Sequence, residues 1–276
     1  MRSTLSWICC LAAGSLLAAG SASWPSRLQA QSVISLERSS AFQLVLPTPP
    51  KDPRAPQGRQ KGGSSRGGSE LQQSVYPLTA LVPATTGPNQ EKFVWGLTTA
   101  ERPVLWFMMP ELESAPVEFV LQDEHDRYIH KANFTLPSSL SQGLVQVGLP
   151  DSMPALEFDK RYTWTLAIAA TPRHPTMFVQ GTIYRVPLAT SLRQPIGQAT
   201  ELEKVAIYAQ YGLWHDAIAT LAQLRQTYPQ NMQVKTAWAD LLKQAQLDEI
   251  ANQPLLPCCT AELLLKNDEK HLHSQD

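Results

Sequence analysis

The sequence predicts an α+β protein, with an antiparallel β-sandwich of about eight strands followed by a docked C-terminal helical hairpin and a third helix. Two observations lead to this fold class. Short apolar runs separated by turn residues fill residues 71–190, and alternation of apolar and polar positions is typical of half-buried strands. After Gln194 the apolar period lengthens to between three and four residues, which is typical of amphipathic helices over residues 191–256.

The run YTWTLAIA illustrates the strand pattern. Its large apolar side chains fall on one face and its threonines on the other; the apolar set is Tyr162, Trp164, Leu166 and Ile168. Such alternation requires one face against a core and the other toward solvent. Runs of this kind with proline-rich turns between them indicate two packed antiparallel layers.

The run VLWFMM, residues 104–109, is apolar on both faces and lies between two prolines. A strand of this kind is central and covered on both sides. We expect the second sheet to cover one side and the C-terminal helices to cover the other. Trp106 is therefore predicted to fill a core and not to line a binding site.

The helical part carries its own boundary signals. Thr200 and Glu203 have the spacing of a capping box, Gly212 is expected to end the first helix, and the second is expected to close at Pro229. A third helix begins near Asn231. Residues 211–231 resemble one tetratricopeptide helical hairpin, but solenoids need about three such units to bury a core. We therefore expect these helices to dock on the sandwich.

The N-terminus is typical of an export signal. Arg2 precedes an apolar stretch over residues 5–19, and small residues follow, so residues 1–30 are predicted to be a signal peptide. The stretch is shorter than the roughly 20 apolar residues of a membrane span. We expect an exported protein, periplasmic or secreted, with no transmembrane anchor after processing.

Residues 31–70 are predicted to be a flexible linker, because the segment 47–69 has almost no large apolar residues with which to offset its ordering entropy. Its basic residues are opposed only by Asp52; they are Lys51, Arg54, Arg59, Lys61 and Arg66. A solvated tether is one interpretation and a contact with an anionic surface is another. Residues 257–276 are predicted to be a disordered tail. It holds Cys258 and Cys259, whose role stays open.

No catalytic, metal or cofactor site is predicted. The most charged cluster, residues 122–127, lies between two strand patterns and is expected to form a polar turn. His125 and His130 lack the third ligand of a catalytic zinc. A serine hydrolase elbow is absent from the sequence, and the net charge of −1 at pH 7 gives no overall field that would favour nucleic acid.

The order of several segments is similar to a known family. Among them are LTALVP, VWGLTTAERPVLWFMMP, EFVLQDE, LEFDKRYTWTL and YGLWHDAIATLAQLR. This succession, over residues 58–256, resembles the cyanobacterial family known as domain of unknown function 928. The resemblance implies an exported protein and supplies no catalytic residue, since no molecular activity is established for the family.

The leading hypothesis is a non-enzymatic interaction module of the cell envelope that binds a protein partner. Tyr211 and Trp214 are expected to present an exposed edge to that partner. The linker residues Arg54, Arg59, Lys61 and Arg66 are expected to add an electrostatic hold.

Two alternatives stay open. One is an envelope hydrolase with a glycan substrate, using carboxylates from separate loops such as Asp123, Glu124 and Asp151, because carboxylate pairs leave no local motif. The other is a purely structural, self-associating envelope component. The sequence leaves the partner and the oligomeric state open.

Overall fold

The computed structural model describes residues 42–48, 58–62, 76–87, 90–111, 115–135, 142–169 and 176–256. All of them belong to one compact unit, Ser39–Asp276. The predicted signal peptide, residues 1–30, and the predicted tail, residues 257–276, lie outside the described residues.

Nine strands precede four α-helices in the described part of the chain. The strands are β1 (Thr79–Ala80), β2 (Ala84–Thr86), β3 (Lys92–Thr98), β4 (Val104–Met109), β5 (Pro116–Gln122), β6 (Tyr128–Thr135), β7 (Gly143–Gly148), β8 (Arg161–Ile168) and β9 (Met177–Arg185). The helices are α1 (Thr190–Gln198), α2 (Glu201–Gln210), α3 (Trp214–Thr227) and α4 (Met232–Gln244), and a 3-10 turn follows at Asp248–Ile250. The predicted α+β class, with strands first and helices last, is confirmed.

The strands form two sheets. One has the order β1-β4-β7, and the other has the order β2-β3-β9-β8-β5-β6. Strands β3 and β9 are parallel, with Trp95 opposite Thr182, so the prediction of purely antiparallel sheets was wrong. A parallel pair needs a long crossover, which β4 to β8 supply, and the two-residue side-chain period is the same for both pairings.

The two sheets meet through aromatic side chains. Phe107 of β4 packs edge-on against Trp164 of β8, with ring centroids 5.6 Å apart. Both side chains are fully buried, as is Phe119 of β5. Edge-to-face rings of this kind stabilise a contact beyond the area they bury. The facing surfaces of the two sheets therefore share one hydrophobic core.

Strand β4 is covered on both faces. Phe107 points to the other sheet, so Trp106 points the opposite way, and α3 contacts both β3 and β4. Trp106 is only 3% exposed. The indole nitrogen of Trp214, the first residue of α3, donates to the carbonyl of Leu81 at 2.8 Å. The prediction that Trp106 fills a core is confirmed, and α3 contacts the strand that carries it.

The three predicted helices correspond to α2, α3 and α4, and their predicted boundary signals are confirmed, whereas α1 was not predicted. The backbone nitrogen of Thr200 donates to the Glu203 carboxylate at 2.7 Å, and the Thr200 hydroxyl accepts from the Glu203 backbone nitrogen, which completes the capping box of α2. Gly212 follows α2 with φ at +70°, a conformation that favours glycine. The side chain of Asn231 caps α4 by accepting from the nitrogens of Gln233 and Val234.

Two stretches of the segment 31–70 are part of this unit. In the first, residues 42–48, the backbone nitrogen of Val45 donates to the carbonyl of Ala209 at 3.0 Å, and Phe42 is buried. The second, residues 58–62, touches both sheets, because Arg59 pairs with Gln180 of β9 and Lys61 pairs with Thr79 of β1. The rest of the predicted linker lies outside the described residues.

Candidate functional site

A cavity of about 600 Å³ lies among the helices, at the C-terminal end of α3. Side chains from α3, α4 and the chain that follows the 3-10 turn form its walls. The lining residues are Arg225, Gln226, Pro229, Lys235, Trp238, Ala239, Ala251, Asn252 and Leu255. It is open to solvent on one side, and its volume is within the range of pockets that bind small molecules.

Trp238 forms the rigid wall of this cavity. It is 2% exposed, and its indole nitrogen donates to the carbonyl of Ala251 at 2.9 Å. Val234, Leu241 and Leu242 of the same helix are buried beside it, at the three- and four-residue spacing that places side chains on one helical face. Helix packing and one hydrogen bond therefore fix the position of the ring.

Arg225, in the last turn of α3, lies over that ring with its guanidinium carbon 4.9 Å from the ring centroid. Its Nη2 donates to the carbonyl of Gln253 at 2.8 Å. Its Nη1 has no acceptor among the described residues. Burial lowers the pKa of Arg225, since it removes water from the charged group. The guanidinium is thus held in place, and its Nη1 is shielded from solvent.

A second cation, Lys235 of α4, lines the same cavity. Its ammonium donates to the Gln230 side-chain oxygen at 3.0 Å. No aspartate or glutamate is among the lining residues. The cavity therefore carries two positive side chains whose charge no lining carboxylate offsets, next to apolar walls.

A different polar cluster joins α3 to the end of β3. The carboxylate of Asp216 accepts from the backbone nitrogen of Thr99 at 3.0 Å and from its hydroxyl at 2.5 Å. Burial raises the pKa of Asp216, and the hydrogen bonds from Thr99 oppose that rise. His215 beside it is 2% exposed, and burial lowers its pKa to about 3. The hydrogen bonds between Asp216 and Thr99 therefore attach α3 to the end of β3, and the neutral imidazole of His215 is buried beside them.

The expected contact residues of the hairpin differ in exposure. Tyr211 is 51% exposed, in agreement with the expectation of an accessible edge. Trp214 is 1% exposed, so the expectation that it presents an edge to solvent was wrong. Its ring packs in the core, and its indole nitrogen donates to the carbonyl of the buried Leu81.

Two of the four linker residues expected at a partner surface lie in the described part, and both have intramolecular contacts. The guanidinium of Arg59 lies 4.4 Å from the ring centroid of Phe178. Lys61 forms an exposed ion pair with Glu249. Arg54 and Arg66 lie outside the described residues.

The carboxylates considered for a hydrolase lie in turns. Asp123 accepts from the Arg127 side chain at 2.7 Å and from the His125 backbone nitrogen at 2.9 Å, and the Arg127 guanidinium lowers the pKa of Asp123 to about 2. The predicted polar turn between β5 and β6 is confirmed. Glu124 and Asp151 are exposed. Asp123 is thereby occupied in shaping its own turn.

Sequence reasoning missed the residues of the cavity and of the α3 attachment. One signal was available for Arg225, since it lies four residues after the buried Leu221 and so shares its helical face. No signal linked Asp216 to Thr99, which are remote in sequence. Among the described residues no group of three or more His, Cys, Asp or Glu side chains is placed to hold a metal ion. None of the described helices is both long and apolar enough to cross a bilayer.

Comparison with known proteins identifies the family and no activity. No curated protein matches the chain. A solved structure of β-glucuronidase from Parabacteroides merdae, with glycerol in its active site, is 12% identical, and the match covers 38% of this chain and 13% of that one. Its TM-score of 0.24 carries no argument about fold or activity. A family model matches residues 61–255, and the chain therefore belongs to the family described as Domain of Unknown Function (DUF928).

Proposed function

We propose that this protein is a non-enzymatic interaction module of the cell envelope that binds a protein partner through its helical segment. The observation that carries the proposal is the cavity beside Trp238, which combines a rigid aromatic wall with two cations and several apolar side chains. Arginine is enriched where proteins bind one another, and the buried Trp238 ring holds Arg225 in place at this cavity.

The rest of the chain suits such a role. The two facing sheets act as a sandwich scaffold that holds the helices in place through Trp214 and Asp216. The similarity of residues 211–231 to one tetratricopeptide hairpin supports peptide recognition by this part. Tyr211 adds an exposed aromatic surface, and the basic residues Arg54 and Arg66 add an electrostatic hold.

The location in the envelope rests on the N-terminal pattern. An apolar stretch over residues 5–19 follows Arg2, as in export signals, and small residues come after it. Export delivers the protein to the periplasm or the medium, where an envelope protein is the available partner.

The proposal is tested by crosslinking the tagged full-length protein in its native envelope and identifying the captured proteins by mass spectrometry. Ala239 is an exposed residue of the cavity lining, so Ala239→Trp fills the cavity without entering the core. Gln233→Trp places the same ring on an exposed position of α4 outside the lining and is the matched control. A partner that is lost with Ala239→Trp and kept with Gln233→Trp supports the proposal. Equal recovery with wild type and both variants contradicts it.

A further inference from the structure

We infer that the cavity binds the carboxylate side chain of an acidic peptide segment, with Arg225 and Lys235 as the cationic contacts. This inference rests on the proposed function and names the chemistry that the partner presents. Four features of the described residues support it: the uncompensated charge of Arg225, the fixed plane of its guanidinium, the second cation and the apolar walls.

The charge of Arg225 is the first feature. Several other cations among the described residues have carboxylate partners, such as Arg127 with Asp123 and Lys131 with Glu118. Arg225 forms no ion pair within the described residues and has only the Gln253 carbonyl and the Trp238 ring beside it. A desolvated cation without a counter-charge is costly, and an anion that enters the cavity removes that cost.

The second feature is orientation. Trp238 covers one face of the guanidinium and the Gln253 carbonyl takes up Nη2, so the side chain is ordered before any ligand arrives. The Nη1 group is buried and lacks an acceptor among the described residues, so a carboxylate reaches the guanidinium only where Arg225 lines the cavity. Arginine matches the planar geometry of a carboxylate, and ordering in advance reduces the entropy lost on binding.

Lys235 is the second cation of the lining, and its only described bond is to the neutral Gln230 side chain. Its long flexible stem lets the ammonium follow an anion held by Arg225. Two cations on adjoining helices, α3 and α4, favour a negatively charged ligand over a neutral one of the same shape.

The remaining walls favour a peptide over a small inorganic anion. Pro229, Ala239 and Leu255 supply apolar surface, while Gln226 and Asn252 supply amide groups that can bond a peptide backbone. A volume of about 600 Å³ is much larger than a phosphate ion requires. The ligand that uses this whole surface is an acidic side chain flanked by apolar residues.

The test compares acidic and amide side chains in the same peptide. An array of immobilised capped pentapeptides is prepared with glutamate at the central position, together with a matched array that has glutamine there. Full-length labelled protein is applied to both. We expect glutamate peptides to retain the protein at least about tenfold better than their glutamine counterparts, as for a hydrogen bond to a charged group.

Variants assign that preference to the cavity. Arg225→Gln is expected to remove the discrimination between glutamate and glutamine, and Lys235→Gln to reduce it severalfold. Lys243→Gln removes the same charge from an exposed position of α4 outside the lining and is expected to change nothing. Circular dichroism and the melting temperature check that Arg225→Gln folds, and the exposed Lys235 provides a second variant that leaves the packing on Trp238 intact.

The outcomes separate this inference from the proposed function. Equal retention on both arrays, or discrimination that persists in both Arg225→Gln and Lys235→Gln, overturns the carboxylate site. Release by millimolar inorganic phosphate but not by glutarate also overturns it, in favour of a phosphate site. If the arrays fail while Ala239→Trp still abolishes capture of an envelope protein, the interaction module stands without this ligand. If the arrays succeed and no partner is captured, the ligand chemistry stands and the proposed function fails.

Discussion

The indole of Trp164 occupies the space that a side chain at Gly181 would need. These two residues are directly opposite each other on β8 and β9. A β-carbon at Gly181 would overlap the Trp164 ring and would come within 2.6 Å of the carbonyl oxygen of Val94. Because one of these neighbours is backbone, the overlap cannot be relieved by a rotamer change alone.

Gly181→Ala is expected to destabilise the protein by roughly 1–3 kcal/mol, as overpacking of a filled core does. Gly197→Ala, in α1, is the matched control because a β-carbon there meets nothing within 4 Å. It should leave the free energy of unfolding unchanged or raise it by up to about 1 kcal/mol, since alanine favours helix more than glycine. Urea unfolding measures both. Equal stability of the two variants would mean that the sheet yields at Gly181.

Trp106→Ala is expected to lower the free energy of unfolding by roughly 3–5 kcal/mol, as for other buried large side chains. The Trp106 indole nitrogen has no acceptor among the described residues. Trp106→Phe should therefore cost clearly less, because it keeps most of the apolar contact and removes an unsatisfied donor. Chemical denaturation of the two variants gives the comparison. A Trp106→Ala variant that unfolds like wild type would place this ring at the surface.

His215 is expected to make the fold sensitive to acid. Its pKa falls from 6.5 to about 3 on burial, so between these values the unfolded chain binds more protons than the folded one. The stability that it contributes is fully present above pH 6.5 and is lost as the pH falls toward 3, by up to about 1.4 kcal/mol per pH unit. Unfolding curves across this range measure the slope.

His215→Gln should flatten that dependence. His125→Gln changes an exposed turn histidine and serves as the control. An unaltered slope in His215→Gln, with the fold intact, would show that other groups bind the protons.

Asp123 is expected to make the stability of the fold depend on pH in a more acidic range than His215 does. The Arg127 side chain and the turn nitrogens lower the pKa of Asp123 from 3.8 to about 2. Its contribution is therefore present above about pH 4 and lost as the pH falls toward 2. Asp123→Asn should reduce the acid dependence in this window, whereas Asp151→Asn, at an exposed turn position, should not. Thermal melts at several pH values distinguish them, and equal behaviour of the two variants would contradict this role of Asp123.

Local patterns determined much of the fold in advance. Alternation in residues 162–168 and the double apolar face of residues 104–109 reflect burial directly, so the strands and the core position of Trp106 were predictable. The Thr200 capping box predicted a helix start because its hydrogen bonds join residues only three positions apart. The parallel pairing of β3 with β9 was not predictable, because it depends on contacts between residues far apart in the chain.

The candidate site was less predictable than the fold. Trp214 looked like a contact residue, but the carbonyl that its indole bonds belongs to Leu81, on a remote part of the chain. Arg225 is of interest because it has no carboxylate partner among the described residues. The sequence cannot show this, since it does not tell which side chains lie next to the guanidinium. The spacing of apolar residues indicates which face of a helix or strand is buried, but it does not indicate which charged side chains lie next to each other.

Residues 58–62 show that the limits of the family and the limits of the folded body differ. The family match begins at residue 61, yet Arg59 hydrogen-bonds Gln180 of β9 and Val45 bonds Ala209 at the end of α2. A recombinant fragment cut at residue 61 would leave an unpaired stretch of β9 and would uncover the side of α2 and α4 where Phe42 lies. A fragment made for protein production should therefore begin upstream of Phe42. That start lies well before residue 61, where the family match begins.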